Sequence, residues 1–279
     1  MKTLISLVIT VVAVVGVAAG AGAAGGPVTS PGAETGWKGI VGPKGGVRYV
    51  ALTGSRETIV AAVRVRGGRI LRWGVIRGGY GIPLVAFDGT TSGLSADGKT
   101  LVLAVPTPNP GPVSRFPIVA VKDLRVRTTI TLRGSWAYDA ISPDASTLFL
   151  VEYSGTGPGA SYRVRAFDVQ ADRLLAEPIV DRNIGEKLMR GQPVTRTVSA
   201  DGRWAYTLYA RQKHEPFVHA LDTARRKAYC IDLPLELGQS KQMALRLRLV
   251  DGSRRLAVRA GTRVVADVDT RTFEVRTGS

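Results

Sequence analysis

Few side chains in this sequence could carry chemistry. Two histidines, His214 and His219, and one cysteine, Cys230, are all the chain holds of those types. That inventory excludes an intrachain disulfide framework and leaves no ligand set for a zinc or iron–sulfur site, so neither metal nor cofactor is expected. No Gly-x-Ser-x-Gly or His-x-x-x-His spacing occurs to present a nucleophile or hold a metal. Gly67-Gly68 and Gly78-Gly79-Tyr80-Gly81 lack the Lys and following helix of a phosphate loop and read as hairpin turns. What remains is a set of ionisable groups. Tyr138, Asp139, Arg196 and His214 could serve a hydrolase or lyase as acid, base and cation. Arg190, Arg196 and Arg246 could neutralise an anion, with Asp139 orienting one guanidinium. The plainer reading of Asp139 with Arg196 is an ion pair that fixes packing. Each histidine likewise reads as an ordinary surface or half-buried residue, and Cys230 as a buried, inert thiol.

Such groups act together only if the fold converges them. The 279 residues are 44% hydrophobic and 22% charged, with 33 glycines and 6% aromatics, a composition that suits a turn-rich all-β domain better than a helical bundle. One element recurs: a small or hydroxyl residue, an Asp or Gly turn, then an apolar strand. The strong copies are Leu94-Ser95-Ala96-Asp97-Gly98, Ile141-Ser142-Pro143-Asp144-Ala145 and Val198-Ser199-Ala200-Asp201-Gly202. Weaker copies start at Leu249 and Leu52. Equivalent positions 55, 97, 144, 201 and 251 are spaced by 42, 47, 57 and 50 residues. The Asp accepts backbone hydrogen bonds across a tight turn, and the Gly takes positive φ. After each strong copy comes an alternating strand ending near an Asp, as in Ile118 to Asp123, Tyr162 to Asp168 and Phe217 to Asp222, and Arg263 to Asp269 follows the weaker copy at Leu249. Return strands follow at Val126 to Leu132, Leu174 to Val180, Lys227 to Leu233 and Thr272 to Arg276. Four strands per repeat of roughly 50 residues is the blade of a β-propeller. The expectation is about five four-stranded blades over residues 46–279, with the N- and C-terminal strands joining to close the ring.

The S-x-D-G turn followed by a strand ending in F-D, L-D or V-D resembles the secreted YVTN-type and WD-repeat-like β-propellers. Gly78 to Gly98 and Met189 to Tyr209 are similar to a group of exported actinobacterial propeller proteins. The literal Y-V-T-N turn and the Trp-Asp strand end are both missing. The resemblance implies a fold and no particular activity, since such families include binding platforms, assembly factors and some enzymes. In a propeller the leading strands line a channel, and the loops before them share a face with the loops between second and third strands. Those loops are the longest and richest in Gly and Pro: 78–88, 106–117, 134–139, 154–161, 181–193, 210–216 and 234–241. A ligand site at that mouth would draw on Tyr80, Asp88, Trp136, Tyr138, Asp139, Arg190, Arg196 and Arg246.

Met1-Lys2, the apolar run Leu4 to Ala19 and Ala21-Gly22-Ala23 read as a cleavable export signal over residues 1–24, with an uncleaved anchor as the alternative. Residues 25–45 then form a flexible leader and closing strand. The expected location is secreted or in the extracytoplasmic envelope. The net charge of +16 is spread through strands such as Arg163-Val164-Arg165 rather than gathered in a basic run, so nucleic acid is not the expected partner. A monomer is expected, serving as a non-catalytic binding or scaffolding module for a protein or an anionic envelope ligand. It touches membrane only through its N-terminal segment if that is uncleaved. The rivals are an envelope hydrolase or lyase and a protein–protein platform.

Overall fold

The computed structural model describes residues 30–107, 111–154, 161–181 and 190–278. The export segment lies outside them, as do residues 108–110, 155–160 and 182–189 of three expected mouth loops. Among the described residues a short ribbon pairs β1 (Ala33–Glu34) with β6 (Ile82–Pro83). The first sheet runs β2 (Ile40–Val41), β3 (Val47–Thr53), β4 (Glu57–Arg64), β5 (Ile70–Arg77). The second is β7 (Thr100–Val102), β8 (Val113–Ala120), β9 (Arg125–Arg133). The third is β10 (Trp136–Ile141), β11 (Thr147–Ser154), β12 (Ser161–Asp168), β13 (Arg173–Ile179). The fourth is β14 (Gln192–Val198), β15 (Trp204–Ala210), β16 (Phe217–Asp222), β17 (Lys227–Asp232). The fifth is β18 (Leu245–Val250), β19 (Arg255–Ala260), β20 (Arg263–Asp269), β21 (Val275–Thr277), preceded by the one-turn helix α1 (Gln239–Met243). Every strand pairs antiparallel with its sequence neighbour within these five sheets.

The expectation of five four-stranded sheets needs correction: among the described residues there are six sheets, of which four have four strands. The departure lies in the second unit. Its leading segment forms no continuous ladder with the sheet, pairing through the isolated bridges Gly81 to Ala104 and Leu94 to Leu101, while Ile82–Pro83 turns to pair with β1. Pro83 has no N–H to give a ladder, which suits this broken edge. Among the described residues the expected joining of terminal strands is not seen. β2 pairs with β3 and β21 with β20, so the first and last sheets are each completed by their own consecutive strands. Residues 30–36, expected as flexible leader, are packed: Ser30 is buried and Leu84 N–H donates to Gly32 O at 3.0 Å.

The recurring turns are built as their chemistry dictates. Ser142 Oγ donates to Asp144 Oδ1 at 2.7 Å, Ser146 N–H donates to the same oxygen at 3.1 Å, and Thr147 N–H donates back to Ser142 Oγ at 2.9 Å. Ser95/Asp97 and Ser199/Asp201 repeat that set. The strand-ending Asp is a second device. Asp168, Asp222 and Asp269 each accept from the backbone N–H groups two and three residues on. The residue four after each lies at positive φ: Asp172 at 50°, Arg226 at 55° and Phe273 at 62°. In the second unit Ala120 holds this position, with Leu124 at φ 56°. Asp123 is therefore not the equivalent that the pattern suggested.

Period-2 alternation sends one face of each sheet toward the neighbour before it and the other toward the neighbour after. Ala51, Val60, Leu101 and Val119 join the first and second sheets, and Phe116, Ile130, Tyr138 and Leu148 the second and third. Phe149, Val164 and Leu221 join the third and fourth, and Leu208, Val218, Leu247 and Val258 the fourth and fifth. Each fully buried aliphatic or Phe side chain contributes about 1.5–3 kcal/mol. No described hydrophobic cluster joins the fifth sheet to the first.

Candidate functional site

Asp139 and Arg196 meet between the third and fourth sheets. Asp139 is the extra residue of a β-bulge, where the pairing of β10 with β11 shifts between Tyr138 and Ala140. A bulge re-aims a side chain that regular pleating would send elsewhere. Arg196 sits in β14 directly opposite Thr207 and donates from Nε to its Oγ1 at 2.7 Å. Its two terminal nitrogens donate to the Asp139 backbone carbonyl and to Asp139 Oδ1. Both side chains are almost wholly buried. Burial pulls the guanidinium pKa down, but the charge and hydrogen bond of Asp139, together with the neighbouring Tyr209 and Tyr138, raise it above its ordinary value, so Arg196 stays cationic.

Around the pair lies a cavity of about 20 Å³, lined in part by Pro31, Leu84, Tyr138, Tyr153, Pro193 and Tyr209. That is room for about one water molecule. Asp139 Oδ2 is buried there without a hydrogen-bond partner. Burial raises the phenol pKa of Tyr138, Tyr153 and Tyr209 far above the ordinary value, so all three remain protonated at neutral pH. The segment after β6 seals this region, with Phe87 N–H donating to Pro193 O at 2.9 Å and Asp88 N–H to Val194 O at 3.1 Å.

The polar row continues across the fourth sheet. Arg196, Thr207, His219 and Cys230 stand opposite one another on its four strands. His219 is buried, its Nδ1 is 3.9 Å from Cys230 Sγ and its Nε2 has no hydrogen-bond partner. Burial is the main cause that pushes its pKa down to about 4. Cys230 is half-buried rather than buried, and its N–H donates to Asp181 Oδ2 at 2.6 Å. His219 was passed over as ordinary from the sequence. Its signal was the register placing it two strands from Arg196.

The other expected site residues are scattered. Tyr80 packs in the core of the first two sheets, and Trp136 in that of the second and third, its Nε1 donating to Arg133 O at 2.8 Å. Asp88 accepts from Thr90 and lies 3.9 Å from Arg246 Nε. Arg246 is not beside Arg196: its side chain is 51% exposed, and its neighbours Leu245 and Leu247 are the ones facing the fourth sheet. The repeat alignment slips by one residue here, because Leu249 replaces the turn serine and residues 251–253 form a 3-10 turn instead. A one-residue slip puts a side chain on the opposite face. Arg190 is exposed.

His214 does not join Tyr138, Asp139 and Arg196. It lies on the loop between β15 and β16, lining an open cleft of about 560 Å³ with Arg211, Lys213, Glu215, Glu236 and Gln239. This cleft combines two of the expected mouth loops. Buried Gln242, which sequence reasoning missed, pins them: its amide donates to His214 O at 2.8 Å and Leu237 O at 2.7 Å, and its carbonyl accepts from Arg211 N–H at 2.9 Å.

No protein-family model matches this chain, and no curated protein matches it. Among solved structures it is similar to the β-propeller domain of Cps50 (Swd1) from Myceliophteria thermophila, at 12% identity and a TM-score of 0.50, covering 89% of this chain and 70% of that one. It is also similar to a putative TolB from Agrobacterium tumefaciens, at 13% identity and a TM-score of 0.47, covering 85% and 78%. The Dos1 propeller gives 9% identity and a TM-score of 0.47, covering 86% and 57%. At such identities a likeness speaks to architecture alone, and together with the successive antiparallel sheets the first of them makes this chain a β-propeller.

Proposed function

We propose that the chain is an exported, non-catalytic propeller that acts as a binding or scaffolding module, taking a partner protein or an anionic envelope polymer at its channel mouth. The observation that carries this reading is a contrast in access. The acid–cation pair that could have run chemistry is sealed, with every Arg196 nitrogen engaged by Thr207 or Asp139. The open cleft of mixed charge lies on the mouth loops, held in place by Gln242. Long loops pinned on a rigid scaffold are where propellers and other superfolds place their binding groups. Export rests on the sequence of residues 1–24.

Retention on an immobilised poly(glycerol phosphate) polymer tests the polymer arm of this reading. A chain of net charge +16 is held by any polyanion, so the informative quantity is local. Lys213→Glu in the cleft should elute at clearly lower salt than Lys122→Glu, a control reversal on the turn between β8 and β9. Equal elution of the two variants defeats a mouth site for such polymers. Release of product from the polymer that disappears in Asp139→Asn would replace this reading with the enzyme.

A further inference from the structure

The outer strand of the first sheet is unlike those of the sheets that follow. In β9, Arg125, Arg127, Thr129 and Arg133 face solvent, and β13 carries Glu177 and Pro178. Charges, threonines and proline are the usual protection of an exposed edge. β5 instead carries Ile70, Leu71, Trp73 and Val75, all exposed. Register sets Val75 opposite Ile59, Trp73 opposite Ala61 and Ile70 opposite Val63, so they share one face. Trp73 is 62% exposed, and Ile70 and Val75 are 50% exposed each. The strands β3 to β5 and their turns, among them the β4–β5 hairpin, are strongly cationic: residues 47–77 hold seven arginines against one acid, Glu57. Arg64, Arg66 and Arg69 are exposed around the Gly67-Gly68 turn, which projects so far that a Cβ on either glycine would meet nothing within 4 Å.

We propose that this rim docks on an anionic lipid surface. Apolar and cationic side chains are interleaved around the turn, as Val65-Arg66 and Arg69-Ile70, while Arg72 faces the other way and donates to Val121 O. Interleaving lets guanidinium groups reach lipid phosphates while their stems and apolar neighbours enter the acyl boundary, and Trp is at home at that depth. A second copy of the chain fits poorly, because a two-fold contact would set the arginines of one hairpin against those of the other. The surface is on a different sheet from the mouth cleft, so either assignment can fail without the other.

The test uses the full chain with vesicles of phosphatidylglycerol and phosphatidylcholine whose acyl chains are brominated. Because the apolar N-terminal segment could itself enter a bilayer, the readout is local: quenching of Trp73, taken as the difference between the chain and Trp73→Phe. Quenching is expected on the mixed vesicles at low salt, and not on phosphatidylcholine alone. The double variant Arg66→Glu/Arg69→Glu should remove the Trp73 quenching, its docking through this rim falling at least about tenfold. Both positions lie on an exposed turn, and an unchanged circular dichroism spectrum confirms the fold. The proposal is overturned if Trp73 is not quenched, or is quenched equally on phosphatidylcholine or in the double variant. Concentration-dependent dimers abolished by Trp73→Ser would assign the face to a second copy instead. Protection of Trp73 from acrylamide by polyglutamate but not by vesicles would assign it to an acidic protein.

Discussion

The fourth sheet is packed on both faces, by different chemistry on each. Toward the fifth sheet it presents Tyr206, Leu208, Val218 and Ala220, which meet Leu247, Val258 and Ala266, a row directly opposite one another in β18, β19 and β20. Toward the third sheet the corresponding row is Arg196, Thr207, His219 and Cys230. It runs between two apolar groups, one around Phe149 and Leu221 and one around Tyr162, Tyr209 and Phe217. Both junctions join neighbouring four-stranded sheets. The apolar one is held by area removed from water, which is non-directional and accepts small shifts of one sheet over the other. The polar one is held by donors and acceptors that fit at a single register. Its charges lose their hydration on burial, so its net contribution to stability is small even though breaking it is costly.

The largest effect that would break this contrast is therefore removal of one charge. Asp139→Ala leaves the Arg196 guanidinium buried without its counter-ion, and should destabilise the fold by about 3–5 kcal/mol in urea denaturation. Adding Arg196→Met should restore much of that loss, because an apolar side chain of similar length suits the same space. If the single variant costs less than about 1 kcal/mol, the pair does not hold the two sheets in register.

Next in size is a dependence on pH confined to the polar junction. Burial lowers the His219 pKa to about 4 from an ordinary 6.5; Asp139 and Asp181 pull it upward and Arg196 pushes it further down. Between those two values the unfolded chain binds a proton that the native chain refuses. Stability must then fall as pH drops from 6.5 toward 4, by a total on the order of 3 kcal/mol. His219→Gln should flatten this part of the stability profile above pH 4.5. An unchanged slope would move its origin to other groups.

The same contrast explains how far the sequence could be read. The strand–turn pattern was legible because each turn is a local device: Ser142, Asp144 and Thr147 satisfy one another within six residues, whatever the rest of the chain does. The meeting of Asp139 with Arg196 was legible because both stand at fixed distances before such turns. Arg246 was misplaced for the same physical reason, since its unit ends in a 3-10 turn without the serine. The seal over the pair was not legible. Nothing periodic announces that Pro31 and residues 84–89 fold over the inner strands of the third and fourth sheets, because that contact is long-range. Gln242 was missed likewise: a lone amide gives no pattern until the two loops it joins are side by side.

The smallest expected effect separates turn from junction. Ser142 connects β10, which carries Asp139, to β11, so the turn could itself set the register credited to the ion pair. Ser142→Ala removes the hydroxyl that bonds Asp144 and Thr147 and should cost about 1–2 kcal/mol, the ordinary net value of two such hydrogen bonds. The Ser142 hydroxyl is also the main cause that holds the Asp144 carboxyl below its usual pKa. A depressed carboxylate adds stability that is present at neutral pH and lost as pH falls through its folded value. The variant should therefore lose less on acidification below about pH 4 than the parent does. Above that range its pH profile should run parallel to the parent's, because His219 and its neighbours are untouched. If Ser142→Ala instead approached the cost of Asp139→Ala, the turn would be what fixes the third sheet against the fourth, and the polar row would be its consequence.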